Sequence, residues 1–338
     1  MGQQLQVPAT IDCEWSDILR AAITVGRRNA QAVFAHGQHS VFEANYRAYM
    51  VKANLTEDQN AELVRTRAYQ DLDPTEKGAV SYFLSMGLVK LLCEHFFGVP
   101  WLVHLDNFDR DLDPPLGRGS RPDLIGQDAN GEWVVVEVKG RSNDLPTALL
   151  GDGKLQCTMV QRVEGRIPLL RIVGGVYFKE HKVQTIFRDP DRKEARPSDL
   201  KINRARLLRE YYTPLLDAVE RGEDTKVEVH ADRRYRVARF PSLDFELGVD
   251  EDVALAGNQE SDTAFLEQAQ KAVRPVPSSI AEPRADQIKT AEKPSVQIFR
   301  TRSTVSAGVP RSTSLGVDGT LIRLGPTWSA GSLLPAAE

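Results

Sequence analysis

The stretch Glu132–Lys139, Glu-Trp-Val-Val-Val-Glu-Val-Lys, constrains this chain more than any other. Side chains alternate faces along a strand, so Val134, Val136 and Val138 point one way and Trp133, Val135, Glu137 and Lys139 the other. Asp128-Ala129-Asn130-Gly131 precedes it, and Asn-Gly accepts the positive φ angles of a two-residue hairpin. The spacing therefore predicts a hairpin between a strand over Pro122–Gly126 and one over Glu132–Lys139. Glu137 and Lys139 emerge together at the end of an apolar strand, and Asp123 on the neighbouring strand reaches the same edge.

Two carboxylates and a lysine against a core are costly unless they find partners. A hard divalent cation is one solution, because converging carboxylate oxygens are the donors it takes. A cross-strand salt ladder, Asp123–Lys139–Glu137, is the plain structural alternative. The surrounding elements bear on the choice.

Residues 14 to 71 read as about three helical pieces, opening at Trp15, continuing over Val41–Val51, and capped again at Thr56-Glu57-Asp58. His36 and His39 stand three apart but lack the glutamate of a zinc hydrolase, so no metal role is assigned there. Asp73-Pro74-Thr75-Glu76 is a strong helix start, with Asp as N-cap, Pro in the first turn and Glu three residues after the cap. Glu76 has two readings, as the acid of that cap and as a further acid at a metal site. Trp101–Phe108 reads as a strand, Thr147–Gly165 as a second helix carrying Lys154 and Gln156, and Leu169–Phe178 and His181–Phe187 as paired strands.

Helix, three strands, helix, strand, strand, with acids and a lysine on the second and third strands, resembles the PD-(D/E)xK, or restriction-endonuclease-like, nuclease superfamily. Pro122-Asp123 matches its first half-motif and Glu137-Val138-Lys139 its second; no subfamily is identified. The resemblance covers about a third of the chain. It implies a mixed α/β fold with an αβββαβ core and a Mg²⁺-dependent nuclease, with Mn²⁺ as a substitute. It further implies Asp123, Glu137, the Val138 carbonyl and Glu76 as the metal set, and Asp123, Glu137, Lys139 and Gln156 as the catalytic group. Lys139 would accept a proton from the attacking water or stabilise the charged transition state. Arg121, Arg141 and Lys154 are candidate phosphate contacts, though the two arginines also have acids nearby to balance. The implied substrate is nucleic acid, DNA first, in restriction, repair or phage defence. A homo-oligomer or a partner protein would be compatible. The alternative is a catalytically silent module of the same fold that binds nucleic acid or assembles with partners.

Other chemistries lack their motifs. No glycine-rich phosphate loop leads into Lys-Ser/Thr, no G-x-S-x-G elbow occurs, and Gly117-Arg118-Gly119-Ser120 precedes a strand rather than a helix. A net charge of −4 excludes a uniformly basic nucleic-acid binder. Between Lys139 and Arg171, however, basic residues outnumber acidic ones. Three scattered cysteines argue against a disulfide framework or a zinc cluster and suggest the cytoplasm. No apolar run long enough for a membrane span and no leader are expected.

The organisation expected is a helical N-terminal region (1–72), the nuclease core (73–189), a helix and hairpin (190–250), a flexible linker (251–312) and a strand-containing tail (313–338). In the 190–250 segment a long helix over Pro197–Arg221 is expected to expose Lys201, Arg204, Arg206 and Arg209, most simply as a solvated face.

Overall fold

Asp73 caps a 24-residue helix, Pro74–Phe97, that forms the spine of the protein. Its carboxylate accepts the N–H of Thr75 at 2.7 Å and of Glu76 at 3.3 Å, and the Glu76 carboxylate accepts the Asp73 N–H at 3.2 Å. Each such cap stabilises a helix by about 1 kcal/mol. Gly98, at φ +59°, ends it in the left-handed region that a residue with a Cβ disfavours. In this computed structural model, residues 10–26, 38–117, 121–188, 198–259, 261–273, 296–301, 313–328 and 335–336 are described. His36, the segment Arg118–Ser120 and most of the expected linker lie outside them.

Strands are numbered along the chain. β1 (Thr10–Cys13) precedes the helix Trp15–Thr24, and β2 (Leu55–Glu57) and β3 (Leu63–Arg65) follow the helix His39–Asn54. After the spine come β4 (Trp101–His104), β5 (Leu112–Asp113), β6 (Leu124–Gln127) and β7 (Trp133–Arg141). The helix Thr147–Met159 leads to β8 (Val160–Val163), β9 (Leu170–Lys179), β10 (Lys182–Arg188) and β11 (Ser198–Leu200). Beyond the helix Arg204–Arg221 lie β12 (Glu223–His230), β13 (Arg233–Phe240) and β14 (Phe245–Asp250), two helices (Glu251–Gly257 and Asp262–Ala272), then β15 (Val296–Thr301), β16 (Thr313–Leu315) and β17 (Thr320–Leu324).

The fold is mixed α/β around a mixed sheet. That nine-stranded sheet runs β1-β15-β10-β9-β7-β6-β4, with β3 also on β10 and β2 on β3. β4, β6 and β7 are antiparallel neighbours, whereas β9 is parallel to β7. A parallel pair needs a crossover, and the helix Thr147–Met159 lies in it. The spine packs on one face of β7 and the crossover helix on the other. A Cβ at Gly140 would meet Ser81 O of the spine at 2.6 Å, and one at Gly153 of the crossover helix would meet Val173 Cγ1 of β9 at 2.8 Å. Val134, Val135 and Val136 are therefore fully buried, each contributing about 1.5–3 kcal/mol. A second sheet, β12-β13-β14-β17-β16, brings the tail onto the body.

Several local expectations are corrected. Thr56–Asp58 caps no helix: Leu55, Leu63 and Val64 are buried in the β2–β3 hairpin, turned by Asp58, whose carboxylate accepts the N–H groups of Asn60 and Glu62. The second helix stops at Met159; Val160 and Val163 are buried as a strand paired to β11, which a β-branched residue suits better. Trp101–Phe108 is a strand only to His104, whose Nδ1 accepts the Asp106 N–H and turns the chain into a 3₁₀ segment. The hairpin at Asp128 is not the two-residue kind. Gly131 alone has positive φ, +85°, while the Asp128 carboxylate accepts the N–H groups of Asn130 and Glu132.

Three longer-range expectations also change. The helix expected from Pro197 begins at Arg204; Lys201 and Arg206 are exposed as expected, Arg206 pairing with Asp111, whereas half-buried Arg204 lies over Trp101 and half-buried Arg209 pairs with Asp262. The short helix expected in the linker near Thr263–Ala272 is present as Asp262–Ala272, with Phe265 and Ala269 buried, but a further helix, Glu251–Gly257, with Val253 buried, also occupies its start. Among the described residues one helix, Pro74–Phe97, is long and apolar enough to cross a membrane, and 78% of its apolar window is buried inside the protein. No such run was expected from the sequence; Lys90 and Glu94 lie within this helix, both fully buried, and Arg20 reaches Glu94 at 2.7 Å.

Candidate functional site

Asp123, Glu137, Lys139 and Gln156 meet where β6 and β7 diverge. Leu124 is opposite Val136 in the β6–β7 register, which sets Asp123 beside Glu137 just past the last pair. The Asp123 N–H donates to Glu137 Oε2 at 3.1 Å, and the Val138 N–H donates to Asp123 Oδ2 at 2.9 Å. In an extended strand the N–H and C=O of one residue point to the same side, so the Val138 carbonyl is directed to the Asp123 edge. Lys139 Nζ lies 2.5 Å from Glu137 Oε1 and 2.6 Å from Gln156 Oε1 on the crossover helix. Gln156 in turn donates through Nε2 to Arg121 O at 3.4 Å, so the helix is tied to both strands. Gly153 makes this approach possible, since a Cβ there would stand 3.3 Å from Glu137 Cγ and 3.4 Å from Lys139 Cε.

Burial sets the electrostatics. Glu137 is 2% exposed, and burial, then the neighbouring Asp123, pushes its carboxyl up to about 8. Burial raises Asp123 as well, and the two carboxyls hydrogen-bond each other. Both acids therefore hold a proton more tightly than a solvated carboxyl would. Tyr82 from the spine faces the same acids. Burial and the charges of Asp123, Glu137 and Asp106 keep its phenol protonated, and its oxygen lies 3.5 Å from His104 Nε2.

Compared with known protein families, curated proteins and solved structures, the chain matches none.

The remaining sequence-predicted residues divide. Glu76 is exposed and engaged in the helix cap, where it accepts the Asp73 N–H. Arg121 is buried, with Nε 2.8 Å from Asp106 Oδ1 and Nη1 4.0 Å from Asp109, so it balances those acids. Arg141 is exposed at the end of β7 and Lys154 half-buried on the crossover helix. Tyr82, His104 and Asp106 were not singled out from the sequence. The one signal for the last two is an acid and a histidine closing the apolar run of β4.

Among the described residues no group of three or more His, Cys, Asp or Glu side chains converges. The donor set is thus two carboxylates and one carbonyl, all oxygen. That suits Mg²⁺, which keeps several waters and takes one or two carboxylates plus substrate oxygens. A cation there would offset the negative charge that burial disfavours on two neighbouring acids. The residues present fit the group.

Proposed function

We propose that the protein is a metal-dependent phosphodiesterase of the PD-(D/E)xK kind, a nuclease whose first substrate is DNA. The observation that carries this reading is the meeting of Asp123, Glu137 and Lys139 at one sheet edge. Supporting it is the order of elements, with the spine helix, antiparallel β4, β6 and β7, a crossover helix, then β9 parallel to β7. That is the αβββαβ arrangement the resemblance implies.

Asp123, Glu137 and the Val138 carbonyl would hold Mg²⁺, or Mn²⁺ in its place. When bound, the cation supplies charge neutralisation at phosphorus and an acidified water. Lys139, oriented by Glu137 and Gln156, would accept the proton of the attacking water as the neutral amine, or as an ammonium would hydrogen-bond the phosphoryl oxygen. Arg141 and Lys154, flanking the site, hold the phosphate backbone, and Arg121 fixes the segment before Asp123 through Asp106. Glu76 serves the helix cap, so the proposed metal set is Asp123, Glu137 and the Val138 carbonyl. A cytoplasmic setting accords with the buried thiols Cys13, Cys93 and Cys157. A second copy or a partner protein in a restriction, repair or phage-defence system would supply what double-strand cutting requires.

The test is incubation with plasmid, single-stranded DNA and RNA in Mg²⁺, Mn²⁺ or EDTA. Cleavage should require metal and fall at least about 100-fold in Asp123→Ala, Glu137→Ala and Lys139→Ala, with folding retained. Activity surviving all three changes moves the chemistry elsewhere.

A second reading, a catalytically silent binding or assembly module, draws on Glu137, both of whose oxygens are already held, by Asp123 N–H and by Lys139. Nucleic-acid binding without cleavage in either metal is its expected outcome.

A further inference from the structure

A cavity of about 450 Å³ lies among the helices Trp15–Thr24, His39–Asn54 and Pro74–Phe97, and one of its walls is Asp123. Ile18, Met50 and Met86 line it together with the rings of Tyr46, Tyr82 and Phe83. Its charged lining is Glu43, Arg47, Asp106 and Asp123, of which the first three have ion-pair partners. Arg47 Nε lies 2.8 Å from Glu43 Oε1, and Asp106 Oδ1 lies 2.8 Å from Arg121 Nε. The cavity thus offers aromatic walls and hydrogen-bonding groups whose charges are paired, apart from Asp123 of the candidate site.

The rings continue outward from its mouth. Phe42, Tyr46 and Tyr49 stand at i, i+4 and i+7 on one face of the helix His39–Asn54 and are 59%, 44% and 49% exposed. Phe83, 41% exposed, meets Tyr46 edge-on with ring centroids 5.7 Å apart. Large exposed rings grouped in this way mark a binding surface more often than an idle one.

We propose that the cavity seats one unstacked nucleobase and that the exposed rings stack its neighbours, so the substrate is single-stranded or locally unpaired nucleic acid. This rests on reading Asp123, Glu137 and Lys139 as a phosphodiesterase site. A volume of this size falls within the range of small-ligand pockets and takes a single nucleotide, not a duplex. A base is neutral and flat, matching an aromatic lining whose other charges are paired, while its phosphate stays at the Asp123 edge. Nucleases and base-modifying proteins that work on unpaired nucleotides gain affinity from stacking on such rings without regard to sequence, because every base has a π-face.

The test measures binding by the full chain in EDTA, where nothing is cut, using a fluorescein-labelled mixed-sequence oligodeoxynucleotide as single strand and as duplex. An RNA strand of the same sequence forms a further arm that reports the sugar preferred. The single strand should bind at least about tenfold tighter than the duplex. Tyr46→Ala and Phe83→Ala should each weaken single-strand binding about tenfold, while Tyr46→Phe keeps it. Both rings are partly exposed, so melting temperatures should stay near that of the unaltered chain and show that the variants fold. Equal or tighter duplex binding, or ring variants that bind single strands normally, overturns the proposal. Metal-dependent duplex cleavage indifferent to Tyr46 and Phe83 would sink it while leaving the hydrolase reading intact. Ring-dependent single-strand binding with no cleavage in Mg²⁺ or Mn²⁺ would do the reverse.

Discussion

Lys139 Nζ lies 2.6 Å from Gln156 Oε1, a bond that joins the end of β7 to the crossover helix. Gln156 also donates to Arg121 O, and it acts on the chemistry by orienting the lysine. Under the proposed function, Gln156→Ala should lower kcat about tenfold with little change in KM, as the loss of an orienting partner does. Gln156→Glu, which keeps an acceptor oxygen, should retain more activity. Steady-state kinetics on a labelled oligonucleotide measures both. A large rise in KM with kcat unchanged would assign Gln156 to substrate binding instead.

Glu137 should make stability depend on pH. Its folded value, about 8, lies above its ordinary 4.5 because burial, then Asp123, disfavours the charged form. The folded state therefore binds the proton more tightly than the unfolded chain. This contribution is complete below about pH 4.5 and is lost as pH rises through about 8. Melting temperatures in EDTA should accordingly fall from about pH 5 to about pH 9, and Glu137→Gln should flatten that fall. An equally steep decline in the variant would place the titrating group elsewhere.

Two glycines of the crossover helix should respond in opposite directions. A Cβ at Gly153 would stand 2.8 Å from Val173 Cγ1, whereas at Gly151 nothing lies within 4 Å. Gly153→Val should cost about 1–3 kcal/mol by overpacking, and by shifting Gln156 it should depress cleavage beyond what lost stability explains. Gly151→Ala should add about 0.5–1 kcal/mol, since alanine is the better helix former. Urea titration read against activity separates the two effects. A Gly153→Val protein as stable and active as the parent would show that the helix stands farther off.

The N-terminal helix, the spine and the tail meet in a buried ionic cluster. Arg20 donates to Glu94 at 3.1 and 2.7 Å and to Ser314 at 2.8 Å, Lys90 reaches Glu94 at 2.5 Å, and Asp318 accepts from Tyr211. Removing the acid takes from Lys90 its paired carboxylate and leaves Arg20 with Asp318 at 3.8 Å, so Glu94→Ala should cost about 3–5 kcal/mol. Chemical denaturation measures this directly. A loss under about 1 kcal/mol would mean that water enters the cluster.

What could be read without coordinates was local. The cap at Asp73, the helix it starts and the left-handed stop at Gly98 all follow from contacts a few residues apart. The alternation of Trp133–Lys139 placed Glu137 and Lys139 on one face, and a short hairpin can return only to the edge that carries Asp123. Where partners lie far apart in the chain, the signal failed. Thr10–Cys13 pairs with Ile298–Thr301 at the sheet's edge, Val160–Val163 becomes a strand because Ser198–Leu200 lies beside it, and Leu55 and Val64 join a hairpin that docks on β10. Strand preference is largely the preference for a neighbour, and no local pattern names that neighbour.

The amino-acid sequence by itself determined which acids and which lysine could share an edge, because period-two alternation and one turn suffice for that. Tertiary packing alone decided that Glu137 is buried beside Asp123, that Arg121 is spent on Asp106, and that Gln156 reaches Lys139 across Gly153. Those outcomes depend on how closely helix and sheet approach and how much water they exclude, quantities that arise only when distant segments pack.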